Sequence, residues 1–236
     1  MRIDKFISEL GIASRKDASR VARSGGVLVN GSAVRDLSAH IDPDKDTVVF
    51  QGRELTYKKY VYVMLNKPAG YVSATEDSKL PVVIELLPDE LQSRGLFPVG
   101  RLDKDTVGMM ILTNNGSLAH TVLSPKRHVD KEYYFEADEP LDADAEEKFK
   151  SGIVLRDGYE CKSAGINLNE DRKSGIITLT EGKYHQIKRM VASFNNAVTY
   201  LKRISFATIP LDKSLAEGEW RYLTPEEEAL LISFTK

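Results

Sequence analysis

The sequence predicts an α+β protein with a mixed, largely antiparallel sheet flanked by helices. Strand-type segments, such as residues 62–66 and 131–135, are interspersed with helical patterns, such as Arg15–Arg23 and residues 185–194. Strands and helices do not alternate strictly, as they would in a parallel α/β protein. An antiparallel α+β arrangement is therefore the class that the pattern favours.

Composition excludes several classes of protein. The 236 residues are 42% hydrophobic and 29% charged, as in soluble globular domains. No apolar run approaches the roughly 20 residues that span a bilayer. The N-terminus lacks a signal-peptide core and Cys161 is the one cysteine, so we expect a cytoplasmic protein with no membrane contact. The formal net charge is −2, so contacts to a nucleic acid must come from local basic patches.

Residues 1–56 are predicted to form a small separate domain. Apolar residues recur at helical spacing over residues 3–10, and Ser14 is a suitable N-cap for a second helix over Arg15–Arg23. A strand over Val27–Val29 then leads into Asn30-Gly31, a strong hairpin signal. The outer face of the two helices presents a basic set: Arg2, Lys5, Arg15, Lys16, Arg20 and Arg23.

Residues 61–236 are predicted to form the second domain. Its main strands are predicted at residues 62–66, 109–112, 131–135, 176–180 and 198–206, the last interrupted by Lys202-Arg203. Its helices are predicted at residues 81–87, 116–123, 143–150 and 185–194, with a capped terminal helix that opens at Thr224-Pro225.

The loop between Gly100 and Gly108 is the strongest candidate for a functional site. Arg101, Asp103 and Asp105 lie there, just before a short apolar run that ends in Asn114-Asn115-Gly116. A polar loop fixed by a core strand is a common setting for catalytic residues. A solvated turn is the alternative interpretation of the same residues.

Residues 1–55 resemble the S4 RNA-binding domain. The matching motifs are Arg2-Ile3-Asp4-Lys5-Phe6, Ser14-Arg15 followed by Ala18, and Gly26-Val27-Leu28-Val29-Asn30-Gly31. The resemblance implies that the basic set on the two helices binds the phosphates of structured RNA. The S4 motif favours RNA binding over the alternative, a solvated helix face. Without the motif, interleaved acids such as Asp4 and Asp17 would indicate that alternative.

Four motifs of the second domain resemble those of pseudouridine synthases, in the order typical of that family. They are Met64-Leu65-Asn66-Lys67-Pro68-Ala69-Gly70-Tyr71, the loop from Gly100-Arg101-Leu102-Asp103 to Leu112-Thr113-Asn114-Asn115-Gly116, Lys131-Glu132-Tyr133, and Glu181-Gly182-Lys183-Tyr184-His185-Gln186-Ile187-Lys188-Arg189-Met190. The resemblance covers about residues 61–232. The S4 module and Tyr184-His185 are similar to the RsuA branch, which modifies a single uridine of 16S ribosomal RNA. Close relatives that act on large-subunit RNA typically carry Asn-Arg in place of Tyr184-His185.

The resemblance implies a catalytic set of Asp103, Tyr133 and Lys188. Asp103 would be the essential carboxylate, which either attacks the ribose C1′ or removes a ribose proton; both routes stay open. Lys188 would keep Asp103 ionised, although most family members have Arg at this position, and a lysine is a point charge without the bidentate fork. Tyr133 would stack on the uracil ring and receive or relay the C5 proton. Each of the three also has a structural interpretation, as a turn cap, a half-buried tyrosine or a solvated lysine.

Further roles follow from the same resemblance. Ile187 would pack against the base pocket. Arg101 would fill the space of a flipped-out uridine or hold a phosphate, with a structural ion pair as an equal alternative. Asp105 and Thr106 would shape the loop, with the Asp105 side chain bonded to the turn backbone. The reaction requires neither a metal nor a cofactor, because it includes no redox, hydrolytic or phosphoryl-transfer step.

The expected partner is 16S ribosomal RNA or a 30S assembly intermediate, with no obligatory protein partner and a monomeric enzyme. Two alternatives differ from this interpretation. One is a sister synthase for 23S ribosomal RNA or tRNA, which the Tyr184-His185 variant disfavours. The other is a non-catalytic RNA-binding or ribosome-assembly protein, which would be expected to lack Asp103, Tyr133 or Lys188.

Overall fold

The structure is a computed structural model that describes residues 1–124 and 126–235. The chain forms two compact units: Met1–Val61 with Leu87–Leu96, and Tyr62–Leu86 with Phe97–Lys236. The domain limits expected from the sequence, 1–56 and 61–236, stay predictions. No helix in the described part of the chain has the length and apolar character that a membrane span needs.

The N-terminal unit contains two helices followed by a four-stranded antiparallel sheet. Its elements are α1 (Ile3–Glu9), α2 (Arg15–Arg23), β1 (Val27–Val29), β2 (Ser32–Ala33), β3 (Val48–Phe50) and β4 (Arg53–Leu55), with the sheet order β2-β1-β3-β4. Ser14 caps α2 by accepting a hydrogen bond from the backbone N–H of Asp17. Asn30 and Gly31 both have positive φ, at 50° and 80°, as a tight hairpin turn requires. The predicted helices and hairpin are confirmed.

The apolar face of α1 forms much of this unit's core. Ile3, Phe6 and Ile7 are at most 1% exposed, and they belong to one cluster with Val27 and Val48. Each fully buried side chain of this size contributes roughly 1.5–3 kcal/mol relative to an exposed one. The helical spacing of the apolar residues in α1 therefore places one apolar face of the helix against the sheet.

Residues Leu87–Leu96 belong to the N-terminal unit, although they follow the first strand of the second unit in sequence. They contain a short helix, α3 (Asp89–Gln92). Gly11, at φ 72°, approaches this segment so closely that a Cβ there would lie 2.1 Å from the carbonyl oxygen of Glu90. Arg53 forms an ion pair with Glu90 at 3.4 Å.

The predicted helix at residues 81–87 is wrong. A single 3₁₀ turn, Val83–Leu86, replaces it. Val82 forms a parallel bridge with Val72, and the N–H of Val83 donates to the carbonyl oxygen of Val72 at 3.1 Å. Long-range backbone pairing therefore holds the start of this segment extended, and Pro88 prevents its continuation as a helix.

The second unit is built on a nine-stranded sheet. Its strands are β5 (Tyr62–Lys67), β6 (Phe97–Pro98), β7 (Val107–Thr113), β8 (Lys131–Ala137), β9 (Gly165–Leu168), β10 (Ser174–Leu179), β11 (Val198–Phe206), β12 (Ile209–Pro210) and β13 (Trp220–Tyr222). The main order is β13-β5-β7-β11-β8-β10-β9, with β6 beside β7 and β12 beside β11. Among the described pairs only β7 and β11 run parallel, so the predicted mixed, largely antiparallel sheet is confirmed.

Four helices accompany this sheet: α4 (Gly116–Leu123), α5 (Ala145–Ser151), α6 (Gln186–Ala192) and α7 (Pro225–Ser233). Leu118 of α4 and Leu231 of α7 join the cluster that Met64 and Met109 form on β5 and β7. The capping box at Thr224 and Glu227 begins α7 as the sequence predicts.

The predicted break in the last long strand is also wrong. β11 is one strand from Val198 to Phe206, although its pairing with β8 shifts register after Val198 and after Arg203, and Arg203 within it is 1% exposed. Its backbone pairs with β7 on one side and β8 on the other. Two basic residues in sequence suggested a solvent-exposed break, but this strand lies at the centre of the sheet, where Arg203 is covered by its neighbours.

Candidate active site

The loop between β6 and β7 carries Asp103 and is fixed at several points. Ser73 Oγ donates to the carbonyl oxygen of Leu102 at 2.7 Å and accepts from its N–H at 2.9 Å. The N–H of Thr106 donates to the carbonyl oxygen of Asp103 at 3.1 Å, which closes a tight turn. The loop is thereby anchored on both sides of Asp103.

Lys67, at the end of β5, is a further anchor that was not predicted from the sequence. Its ammonium group donates to the carbonyl oxygens of Pro68, Lys104 and Thr106 at 3.0, 3.2 and 2.8 Å. The side chain is fully buried, and this burial lowers the pKa of Lys67 to about 8. A lysine inside a strand whose other residues are all buried was the available signal.

A cleft of about 810 Å³ opens beside this loop and contains the predicted catalytic set. Asp103, Tyr133 and Lys188 all line it, and they come from the β6–β7 loop, β8 and α6. The Lys188 ammonium lies 3.5 Å from Asp103 Oδ2, and the Asp103 side chain is 26% exposed. Residues far apart in sequence thus line one cleft, with the lysine beside the carboxylate.

His185 is a second neighbour of Asp103 that the predicted set did not include. Its Nε2 lies 3.5 Å from Asp103 Oδ1. The residue adopts the left-handed conformation, with φ 48°, immediately before α6, and its ring stacks on Tyr184 at 3.9 Å between centroids. The backbone turn at His185 therefore directs its ring towards the loop.

Asp105 contacts Lys188 in addition to the bond to the turn backbone that was expected from the sequence. Lys188 Nζ donates to Asp105 Oδ1 at 2.5 Å, and this bond lowers the pKa of the Asp105 carboxyl. The Asp105 side chain is 73% exposed, in contrast to that of Asp103. The carboxylate also bonds its own backbone N–H, so the expected loop-shaping role of Asp105 is accompanied by a side-chain contact to the lysine.

The remaining predicted pocket residues also line the cleft. Tyr133 is 9% exposed and Ile187 is 4% exposed, whereas Arg101 is exposed at the mouth. Apolar side chains such as Leu201 and Phe206 complete the wall around Tyr133. The cleft therefore combines buried apolar side chains, suited to a flat ring, with charged groups both buried and exposed.

Glu181 orders the segment that leads to Lys188. Its carboxylate, in a residue that is 8% exposed, accepts from Gln186 Nε2 at 2.7 Å, Tyr159 OH at 2.9 Å and the N–H of Lys162 at 3.0 Å. Gln186 in turn accepts from the N–H of Lys183 at 2.9 Å. These bonds hold the turn before α6. Among the described residues, no group of three His, Cys, Asp or Glu side chains is placed to hold a metal ion.

The basic set of the N-terminal unit is exposed but partly paired internally. Ion pairs join Arg2 to Asp4 at 2.7 Å, Lys5 to Glu9 at 3.5 Å and Arg20 to Asp17 at 2.8 Å. The structure of residues 1–124 and 126–235 gives no ion pair for the other three, which are Arg15, Lys16 and Arg23.

Comparison with known proteins identifies the family of each domain. The family model for RNA pseudouridylate synthases matches residues 61–193, and that for the S4 domain matches residues 1–47. A solved structure described as a pseudouridylate synthase is 35% identical and superposes with a TM-score of 0.69, with 98% of this chain and 99% of that chain covered.

Curated relatives match over nearly their whole length. An uncharacterized RNA pseudouridine synthase of Bacillus subtilis is 42% identical, with 98% of each chain covered. The ribosomal small subunit pseudouridine synthase A of Escherichia coli is 37% identical over 98% of this chain and all of that protein, and its counterpart from Vibrio vulnificus is 38% identical. The chain therefore belongs to the RNA pseudouridylate synthase family, as a member with an N-terminal S4 domain.

Proposed function

We propose that this enzyme converts a uridine of 16S ribosomal RNA to pseudouridine in the small ribosomal subunit. Relatives named for the small subunit, at 37–38% identity over almost the full chain, support this substrate. The Tyr184-His185 sequence before α6 supports it independently. The enzyme acts in the cytoplasm as a monomer, on free 16S RNA or on a 30S assembly intermediate.

One observation carries the proposed mechanism: Asp103, Tyr133 and Lys188 converge on one cleft of about 810 Å³. Asp103 acts on the ribose, either by attack on C1′ or by removal of a ribose proton. Both routes need an ionised carboxylate in a site that excludes water. Lys188 places a positive charge 3.5 Å from the Asp103 carboxylate.

Tyr133 and Ile187 hold the base. Both line the apolar part of the cleft, where the tyrosine ring stacks on uracil and its hydroxyl receives or relays the C5 proton. Arg101 lies exposed at the mouth, two residues from Asp103. There it fills the space that the flipped-out uridine leaves or holds a neighbouring phosphate.

The S4 unit tethers the RNA. Arg15, Lys16 and Arg23 are exposed on α2, without internal ion pairs in the part of the chain that the structure describes. Such side chains can neutralise phosphates without first leaving an ion pair. Arg2, Lys5 and Arg20 contribute less, because each first has to leave a carboxylate partner.

The alternative substrate is 23S ribosomal RNA or tRNA. The relatives from Bacillus subtilis and Aquifex aeolicus, at 42% and 38% identity, have names that specify no particular RNA. This alternative leaves the catalytic chemistry unchanged and alters only the RNA that presents the uridine.

The experiment that separates these substrates uses 16S, 23S and tRNA transcripts labelled with tritium at C5 of uridine. We expect the purified enzyme to release tritium from 16S RNA or 30S particles without added metal, in an amount that corresponds to one uridine per molecule. Mapping the converted position by reverse transcription then identifies it. Release from 23S RNA or tRNA alone would reject the small-subunit assignment.

A further inference from the structure

Two buried cations line the floor of the cleft and have no role in the mechanism above. Lys131 is 9% exposed and Arg203 is 1% exposed. They lie on β8 and β11, which pair so that Arg203 is opposite Tyr133, and Phe206 is opposite Lys131. Lys131 Nζ lies 5.8 Å and Arg203 Cζ lies 5.3 Å from the centroid of the Phe206 ring. The two cations therefore form one group directly beside the base-stacking tyrosine.

These two cations have few hydrogen-bond partners within the protein. Lys131 Nζ donates to the carbonyl oxygen of Val129 at 2.8 Å, and Arg203 Nε donates to that of Met109 at 2.6 Å. Arg203 Nη2 is buried and has no hydrogen-bond partner. Within residues 1–124 and 126–235 neither side chain forms an ion pair, and Glu181, the acid in the same wall, already accepts three hydrogen bonds. A buried guanidinium with an unused donor is unfavourable unless a ligand completes it.

The charge of Lys131 persists at neutral pH despite its burial. Desolvation, followed by the neighbouring charge of Arg203, lowers the pKa of Lys131 to about 8, while Asp130 and Glu181 act in the opposite direction. At pH 7 most molecules therefore carry two positive charges on the cleft floor.

We propose that Lys131 and Arg203 form an anion site that binds the carbonyl oxygens of the uracil ring while the ring is detached from ribose as an anion. This inference rests on the proposed function. It makes both residues catalytic, because they would contact the reacting base.

The chemistry generates such an anion on either route open to Asp103. If the carboxylate attacks C1′, a C–O bond forms and the C1′–N1 bond breaks, with its electron pair retained on N1. If the carboxylate removes the 2′ proton, a C1′–C2′ double bond forms and the same electron pair departs with N1. In both cases the uracil carries one negative charge, which is delocalised onto O2 and O4.

The same site can serve the ring before and after its turn. Rotation by half a turn about the N3–C6 axis exchanges N1 with C5 and also exchanges O2 with O4. A cationic group that binds one carbonyl therefore meets an equivalent carbonyl when C5 faces C1′. On the first route the C5–C1′ bond forms with the electron pair of the anion while the C1′–O bond to Asp103 breaks and frees the carboxylate. On the second route C5 bonds to C1′ of the glycal while C2′ recovers the proton that Asp103 took. The C5 proton then leaves through Tyr133 and a proton adds to N1, which restores the conjugated ring. Donors aimed at charge that develops during a reaction act strongly in a desolvated site.

A backbone phosphate is the less suitable ligand for this position. Lys131 and Arg203 lie among apolar side chains such as Leu201 and Phe206, whereas Asp103, which has to reach the ribose, retains 26% exposure. The base therefore lies deeper than the sugar, and the phosphates remain near exposed cations such as Arg101 and Lys183.

The test measures single-turnover tritium release at saturating RNA, together with the RNA dissociation constant and the melting temperature. For Lys131→Met we expect the rate to fall about 100-fold or more with an RNA dissociation constant changed less than about threefold. Lys131→Arg, which keeps the charge, should recover most of the rate. The melting temperature of Lys131→Met should equal or exceed that of the parent, because an uncompensated buried charge is removed. Lys150→Met is the control: it removes an exposed charge that does not line the cleft, and it should change neither the saturated rate nor the melting temperature.

Two results would overturn the proposal. A weaker RNA affinity with a reduced salt dependence, at an unchanged saturated rate, would assign the floor cations to a phosphate. A lower melting temperature with an unchanged rate would make them structural. A binding experiment without RNA separates this inference from the substrate assignment. The parent enzyme should bind 5-nitrouracil, an anion at pH 7, more tightly than neutral uracil. Lys131→Met should lose that preference. Equal binding of the two by the parent would contradict the anion site, even if the RNA substrate were a different one.

Discussion

Lys188 lies 2.5 Å from Asp105 and 3.5 Å from Asp103, so one ammonium group on α6 is shared by two carboxylates of the same loop. The shorter contact is to the exposed carboxylate, and the longer one is to the carboxylate inside the cleft. The arrangement lets Lys188 stabilise negative charge on Asp103 while Asp105 fixes the direction of the lysine side chain. Asp105 is thus a positioning residue for the lysine.

Removal of the Lys188 charge tests this relationship. In Lys188→Met both carboxylates lose the lysine that they share, so we expect the single-turnover rate to fall by about 100-fold or more. Lys188→Arg preserves the charge and should stay within about tenfold of the parent, since only the geometry of the pair changes. Tritium release at saturating RNA measures both variants. Parental activity in Lys188→Met would contradict the role of the lysine.

The RNA contact of the S4 unit is tested by the triple change of Arg15, Lys16 and Arg23 to Gln. We expect weaker RNA binding and a salt dependence whose logarithmic slope falls by about 0.7–0.9 for each phosphate that is no longer neutralised. The matched control changes Lys79, Lys150 and Lys213 to Gln, which removes the same charge from exposed positions of the second unit that form no ion pair within the described residues. If both triple variants shift the slope equally, the contact is a general charge effect and not a property of α1 and α2.

Gly108 is required where the catalytic loop enters β7. It has φ 100°, and a Cβ there would lie 2.3 Å from the carbonyl oxygen of Arg203 on the parallel strand β11. Gly108→Ala should therefore lower both the melting temperature and the rate of tritium release. Gly218→Ala is the comparison, because Gly218 has a similar φ of 89° but open space around its Cβ position. If the two variants have equal melting temperatures, the positive φ alone destabilises them, by about 1 kcal/mol, and the close approach to β11 has no effect.

Stability should rise with pH above neutrality. Burial lowers the pKa values of Lys67 and Lys131 to about 8, below the ordinary 10.5, so the unfolded state binds more protons between these limits. The free energy of unfolding then increases by at most about 1.4 kcal/mol per pH unit for each group. Denaturant unfolding between pH 7.5 and 9.5 measures this slope, and Lys131→Met should reduce it by about half. Above this window Tyr57 acts in the opposite sense, because burial raises its pKa to about 12. A flat slope in the parent would contradict the buried charges.

The local features of the fold could be predicted from the sequence. The Ser14 cap, the Asn30-Gly31 turn and the Thr224-Glu227 capping box depend on neighbours within a few residues, and all three occur as expected. The helix at 81–87 was wrong because the pairing of Val82 with Val72 is a contact across the turn that local pattern cannot indicate. The break at Lys202-Arg203 was wrong because charge in sequence suggests exposure, whereas strand order decided the burial of Arg203.

The residues of the candidate site also fall into two groups: those that the sequence indicated and those that it did not. Motif order alone selected Asp103, Tyr133 and Lys188, and the fold brings them to one cleft. Lys67 and His185 were not selected, because their contacts to the loop depend on a strand end and on a left-handed backbone turn. Tertiary structure sets the positions of these two residues beside the loop, and their separation along the sequence does not indicate them.

The most direct test of the account compares two conservative changes in the shared pair of carboxylates. We predict that Asp103→Asn releases no tritium from C5-labelled 16S RNA or 30S particles, while it binds RNA as the parent does. Asp105→Asn, which removes the closer partner of Lys188, should retain activity within about tenfold, because Asp105 only positions the lysine. Release by Asp103→Asn at the parental rate, or complete loss in Asp105→Asn with activity kept in Asp103→Asn, would contradict the assignment of Asp103 as the essential carboxylate.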